Sequence, residues 1–182
     1  MSTEAMSNDA FVTHQRPTRE PAAEAESVWD YPRPPALRVV AQDIEVHLGG
    51  RIIAKCDIAI QVLETSHPPV YYLPRAAFAE GVLHPVTGRT LCEFKGWASY
   101  YDLVSADPVG GDIVAERAAW HYPEPTPRYT ELVGYVAVMP GAVDACYVNG
   151  ELVSPQEGGF YGGWVTSAVR GPFKGPPGTD GW

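Results

Sequence analysis

Apolar and polar residues alternate along most of this chain with a period near two, and no stretch shows a sustained helical period. From Leu37 the pattern predicts strands over Val39 to Leu48 and Arg51 to Cys56, joined at Gly49-Gly50 as a hairpin. Val70 to Leu73 is a short apolar strand between prolines, and Pro74 to Phe78 has room for one helical turn. Arg89 to Phe94 and Trp97 to Val104 are two more strands, with Gly96 as a bulge or a close backbone approach. Asp107 to Asp112 is a turn cluster, Ile113 to His121 a strand, Tyr122 to Pro127 a proline-rich loop and Tyr129 to Leu132 a short helix. Val133 to Met139 and Val143 to Val148 close the strand set, with Asn149-Gly150 as a hairpin turn. Many short strands with frequent turn signals predict a single, mainly β, antiparallel domain with at most short helical turns.

The two ends differ from this middle. Residues 1 to 27 are polar and lack apolar periodicity, which predicts a flexible tail, so the domain spans 28–182. The segment Trp29-Asp30-Tyr31-Pro32-Arg33-Pro34-Pro35 is extended by its prolines and carries two aromatic rings with which to dock. From Pro155 the chain is rich in Gly and Pro, yet Phe160, Tyr161, Trp164, Phe173 and Trp182 suit an ordered wrap. Gly158 to Trp164 reads either as a lid over a pocket or as a fixed turn anchored by its rings, and the second reading is preferred.

Hydrophobic residues make up 45% of the 182 and aromatic ones 11%, enough for a core and, with ten Tyr and five Trp, for a recognition surface. The formal charge of −9 disfavours sequence-independent nucleic-acid binding and anionic membranes as partners. No apolar run approaches the roughly 20 residues of a membrane span, and the N-terminus lacks the pattern of a secretory signal. Cys56, Cys92 and Cys146 are an odd, widely spaced set without a Cys-x-x-Cys pair, so reduced thiols in the cytoplasm are expected.

Of 13 basic residues only three are lysines, Lys55, Lys95 and Lys174, and two of these stand in Phe-Lys-Gly settings at Phe94-Lys95-Gly96 and Phe173-Lys174-Gly175. A lysine among aromatic residues suits an anion contact or a reactive amine, and equally a snorkelling strand residue or an ion pair with Glu64 or Glu93. Glu64 and His67 lie three apart, where a carboxylate could orient an imidazole for proton transfer. Ser66 adjoins His67, but neighbours in an extended chain point apart. In the pairs Tyr71/Tyr72 and Tyr100/Tyr101, strand alternation sends one member inward. Trp97, Trp120, His121 and Tyr122 could form an aromatic cage, or Trp120 could simply pack in the core. Cys92 lies three residues before Lys95, and a nearby lysine charge would activate a thiol, though an isolated strand cysteine is more often a small hydrophobe.

Several stretches together resemble the DUF427 family: Val62 to Arg75, Thr90 to Tyr101, Ala118 to Pro125 and Gly134 to Ala137, with Trp29 to Pro35, Gly158 to Trp164 and Gly171 to Gly175 similar to its longer members. The resemblance covers roughly residues 28 to 182. It implies a small, mostly antiparallel β domain similar to Mss4-like or β-tent folds. Relatives in that group hold zinc on paired Cys-x-x-Cys knuckles, which this chain lacks, so no metal is expected. A nucleotidyltransferase label also attaches to the family. The chain has neither a Gly-Ser followed by paired aspartates nor a phosphate-cradling glycine loop, so that label is not adopted.

The expected function is a pocket for an anionic or carbonyl-bearing metabolite, with or without cofactor-independent hydrolysis, isomerisation or elimination. Lys95, Glu64, His67 and Tyr100 are the candidate catalytic residues. Tyr71, Tyr72, Trp97, Tyr101, Trp120 and Tyr122 are the candidate substrate-binding ones. A non-catalytic aromatic cage and a protein-interaction scaffold are the alternatives. Convergence of Glu64, His67 and His121 on a metal, and a homo-oligomer, stay open.

Overall fold

The structure, a computed structural model, describes residues 24–107 and 109–182. The expected tail falls mostly on residues 1–23, outside the described residues. Its last two positions form a strand, β1 (Glu26–Ser27). There follow β2 (Ala36–Leu48), β3 (Arg51–Leu63), β4 (Val70–Pro74), β5 (Leu83–Cys92), β6 (Gly96–Ser105) and β7 (Ile113–His121). The chain then forms β8 (Tyr135–Val138), β9 (Ala145–Val148), β10 (Glu151–Leu152), β11 (Ser154–Pro155), β12 (Trp164–Val165) and β13 (Val169–Arg170). Helical structure among the described residues is confined to short 3-10 turns, at Val28–Asp30, Arg75–Ala77, Pro127–Leu132 and Pro140–Ala142. None of these is long and apolar enough to cross a membrane.

Nine strands form one open antiparallel sheet in the order β10-β9-β2-β3-β4-β8-β7-β6-β5. The Gly49-Gly50 hairpin is present, both glycines having positive φ (62° and 69°), as a tight two-residue turn requires. Strand β3 runs seven residues past the expected end at Cys56, because a bulge between Ala41 and Ile44 of β2 absorbs the break in alternation around Asp57. Likewise β5 begins at Leu83 rather than Arg89: Gly88 (φ 92°) lies in a register shift between Val86 and Arg89. Pro85 is tolerated there because β5 is an edge strand. Strand β7 has the expected bounds.

Alternation gives the sheet two unlike faces. Ile44, Val46, Tyr71, Leu73, Tyr101, Leu103, Val136 and Val138 pack on one. Ile60, Val62, Tyr72, Ala98 and Ala137 pack on the other with Tyr122, Tyr129 and Leu132. The C-terminal segment is an ordered wrap. Trp164 is fully buried on the first face, stacked on Tyr71 at 4.9 Å, with its indole N–H donating to the Val138 carbonyl at 3.1 Å. The N-terminal segment docks against this wrap: β1 pairs parallel with β13, and Val28 and Tyr31 cluster with Leu63, Val169 and Phe173.

Candidate functional site

The second face of the sheet is the floor of a cavity of about 400 Å³. Val62 and Tyr72 on β3 and β4, Ala98 and Tyr100 on β6, and Trp120 on β7 supply that floor. Period-two geometry decides which aromatic residues take part. Tyr72 and Tyr100 face the cavity, whereas Tyr71 and Tyr101 point to the opposite face.

Lys95 is not a strand residue. Strand β5 ends at Cys92, and Glu93, Phe94 and Lys95 form the turn that closes onto Gly96, whose φ of 96° suits a residue without a Cβ. Thr126 pins this turn from the proline-rich loop: its amide donates to the Lys95 carbonyl at 3.1 Å and its hydroxyl to the Phe94 carbonyl at 2.6 Å. The Lys95 side chain is buried against two phenol rings, with Nζ 5.8 Å from the Tyr122 centroid and 6.0 Å from that of Tyr129. Tyr129 is held in place by its hydroxyl, which donates to the Pro35 carbonyl at 2.9 Å. Among the described residues Lys95 has no carboxylate within ion-pair distance. The ion pairs considered from sequence, Lys95 with Glu64 or Glu93, do not form; Glu64 pairs with Arg33 at 3.1 Å instead.

His67 lines the same cavity, edge-on to Tyr161 at 4.8 Å between ring centroids. Its Nδ1 is 2.9 Å from the Thr65 carbonyl, which can only accept, so Nδ1 carries a proton and Nε2 is the basic nitrogen of the neutral ring. Burial lowers the His67 pKa most, and the Lys174 and Arg33 charges add to this. The Thr65 carbonyl and Glu64 oppose it. Burial likewise raises the Tyr72 and Tyr122 phenols, which stay neutral. The Tyr72 hydroxyl accepts the Trp120 indole N–H at 3.1 Å and so keeps its own proton for another partner. Tyr100 shares a hydrogen bond of 2.7 Å with Thr90, and the Arg117 guanidinium lies over its ring at 4.1 Å.

Three expected residues are not brought here. Tyr71 donates to Gln42 and accepts from Gln61, beside a smaller cavity of about 260 Å³ on the first face. Tyr101 accepts from Arg75 at 2.6 Å and stacks on His121. Trp97, on the outward side of β6, is half exposed under the Arg89 guanidinium. His121 is thereby removed from Glu64 and His67, and no cluster of three or more His, Cys, Asp or Glu among the described residues is arranged to hold a metal.

The cover was harder to foresee. Arg33 comes from the N-terminal segment, and Tyr161, Gly162 and Lys174 come from the wrap. The backbone at Gly162 and Gly163 lies so close to the Trp120 ring and to Pro68 that a Cβ at either position would collide. This supports the fixed-turn reading of the segment. The repeated Phe-Lys-Gly motif was the available signal for Lys174, since both of its lysines line this one cavity. They differ in how they are held. The Lys174 ammonium donates to the main-chain oxygens of Asp180 (3.1 Å) and Trp182 (2.9 Å), whereas Lys95 is left with ring faces alone.

A family model described as "Domain of unknown function (DUF427)" matches residues 36–149. No curated protein matches the chain. The matched span contains the cavity floor, Glu64, His67 and Lys95, while Arg33, Tyr161 and Lys174 lie outside it.

Proposed function

The chain belongs to the DUF427 family, and within it we propose a small-molecule pocket protein whose ligand is an anionic or carbonyl-bearing metabolite held by Lys95. The observation that carries this reading is a lysine whose side chain is mostly buried and whose ammonium, without a carboxylate partner among the described residues, meets the space of an aromatic-lined cavity. An ammonium partly withdrawn from water with no carboxylate beside it favours an anionic ligand that pairs with it. The volume of about 400 Å³ lies in the range of metabolite sites.

In its enzymatic form the site would run proton-transfer chemistry of hydrolase, isomerase or lyase type. Lys95 would orient or polarise the substrate, and His67 Nε2 would take the proton. Tyr72 or Tyr100 would donate a hydrogen bond. Glu64 has a lesser part in this scheme than His67, because Arg33 already engages it. The rings around Lys95 equally suit a binding module without turnover, and product analysis separates the two. Kinship with Mss4-like or β-tent folds belongs to the same proposal. So does a cytoplasmic location, supported by three unpaired thiols.

The test is a thermal-shift screen of a metabolite library against wild type and Lys95→Met in parallel. A ligand at about 100 times its Kd adds roughly 2.7 kcal/mol. A ligand that stabilises wild type and not the variant supports the reading. Ligands that stabilise both equally, or turnover that survives Lys95→Met, remove Lys95 from the function.

A further inference from the structure

The charges around the cavity are almost all satisfied from within the protein. Arg33 and Glu64 neutralise each other at 3.1 Å. Lys174 is bound to two main-chain oxygens. Arg117 lies over Tyr100 at the exposed rim and donates to the Thr87 carbonyl at 2.9 Å. Glu93 is exposed. Lys95 remains, with ring faces behind it. The interior of the site therefore presents one ammonium, that of Lys95, with no hydrogen-bond acceptor among the described residues.

The rest of the interior is apolar and rich in rings. Tyr72, Phe94, Trp120, Tyr122 and Tyr161 stand beside Val62, Val70 and Met139, and the cover over Trp120 is the bare backbone of Gly162, where even a Cβ would not fit. Aromatic walls favour a planar group over a puckered one of equal size, through stacking and edge contacts that add to simple burial. The Trp120 indole N–H is taken up by the Tyr72 hydroxyl, so that ring offers a ligand its apolar surface and no free donor.

Resting on the reading of Lys95 as an anion contact, we infer that the ligand is a planar aromatic or conjugated monocarboxylate, its carboxylate on the Lys95 ammonium and its ring among Tyr72, Trp120 and Tyr122. A saturated acid would satisfy the charge but not the walls. A neutral aromatic compound would satisfy the walls but not the charge.

Three probes that change one property at a time test this by calorimetry on the wild-type chain: naphthalenecarboxylate, decalincarboxylate and naphthalenecarboxamide. The aromatic acid binds about tenfold more tightly than the saturated one, as one or two ring contacts of this kind provide. It also binds roughly 10- to 100-fold more tightly than the carboxamide, the worth of a charge-assisted contact. In Lys95→Met the acid and the carboxamide become equal. Equal binding of the two acids in wild type overturns the planar ligand and leaves the anion pocket standing. A carboxamide that binds as well as the acid, or binding of none of the three, overturns both. Because the decisive comparison uses unmutated protein, it does not depend on the folding of a variant.

Discussion

Replacing Lys95 and Lys174 by methionine, one at a time, should move stability in different directions. Met has similar length and keeps most of the packing. In Lys95→Met two cation–π contacts are lost, at 5.8 and 6.0 Å, each about 0.5–2 kcal/mol. Against this, the sulfur makes its own ring contacts, about 0.3–1.5 kcal/mol each, and the partial desolvation of a charge without a carboxylate partner disappears. The expected net change is neutral to stabilising, within about 1 kcal/mol. In Lys174→Met two charged hydrogen bonds to main-chain oxygens are lost, each about 1.5–3 kcal/mol. Partial recovery by water leaves an expected cost of about 2–4 kcal/mol. For a chain of this size that lowers Tm by roughly 5–15 °C, while Lys95→Met stays within about 4 °C of wild type. Urea unfolding followed by fluorescence, with the slope m unchanged, measures both. A loss of more than about 2 kcal/mol in Lys95→Met would refute the reasoning, because the ammonium would then be a structural partner rather than one held in reserve for a ligand.

The His67 pKa is lowered in the fold, so between that value and about 6.5 the unfolded chain binds the proton and the native one does not. Stability is therefore complete above about pH 6.5 and falls as pH drops below it. His67→Gln should flatten part of the Tm decline between about pH 7 and 5, leaving the share of His121, which is shifted in the same direction. Gly162→Ala forces a methyl group into the Trp120 ring, and overpacking of this kind costs about 1–3 kcal/mol, read by denaturation. Burial pushes the Cys146 thiol up to about 12 and that of Cys56 to about 11, so neither carries much thiolate near pH 8. Iodoacetamide labelling followed by mass spectrometry should then fall first on Cys92, which lines the cavity, and a bound ligand should slow it.

Period-two alternation, the Gly-Gly and Asn-Gly turns and the proline-rich loop were enough to determine a mainly β chain, the bounds of β7 and the hairpin of β2 and β3. These features are local, since backbone preferences at a turn and the side-to-side rhythm of a strand need no distant partner. The same rhythm stated that one of each tyrosine pair would face inward, without saying which. Tertiary structure made that choice. Tyr72 and Tyr100 point to the face that the N-terminal segment and the wrap cover, and Tyr71 and Tyr101 to the face packed on Trp164 and Arg75. Strand length past Asp57 and ahead of Arg89 was hidden for a related reason. A bulge needs only one residue with permissive backbone, and its partner strand, distant in sequence, decides whether pairing resumes. The Phe-Lys-Gly echo was visible from the start. That its two lysines meet at one cavity, one tied to main-chain oxygens and the other left unpaired, depends on the chain returning across the sheet some 80 residues later. No local pattern encodes that closure, because it follows from which buried surfaces find each other.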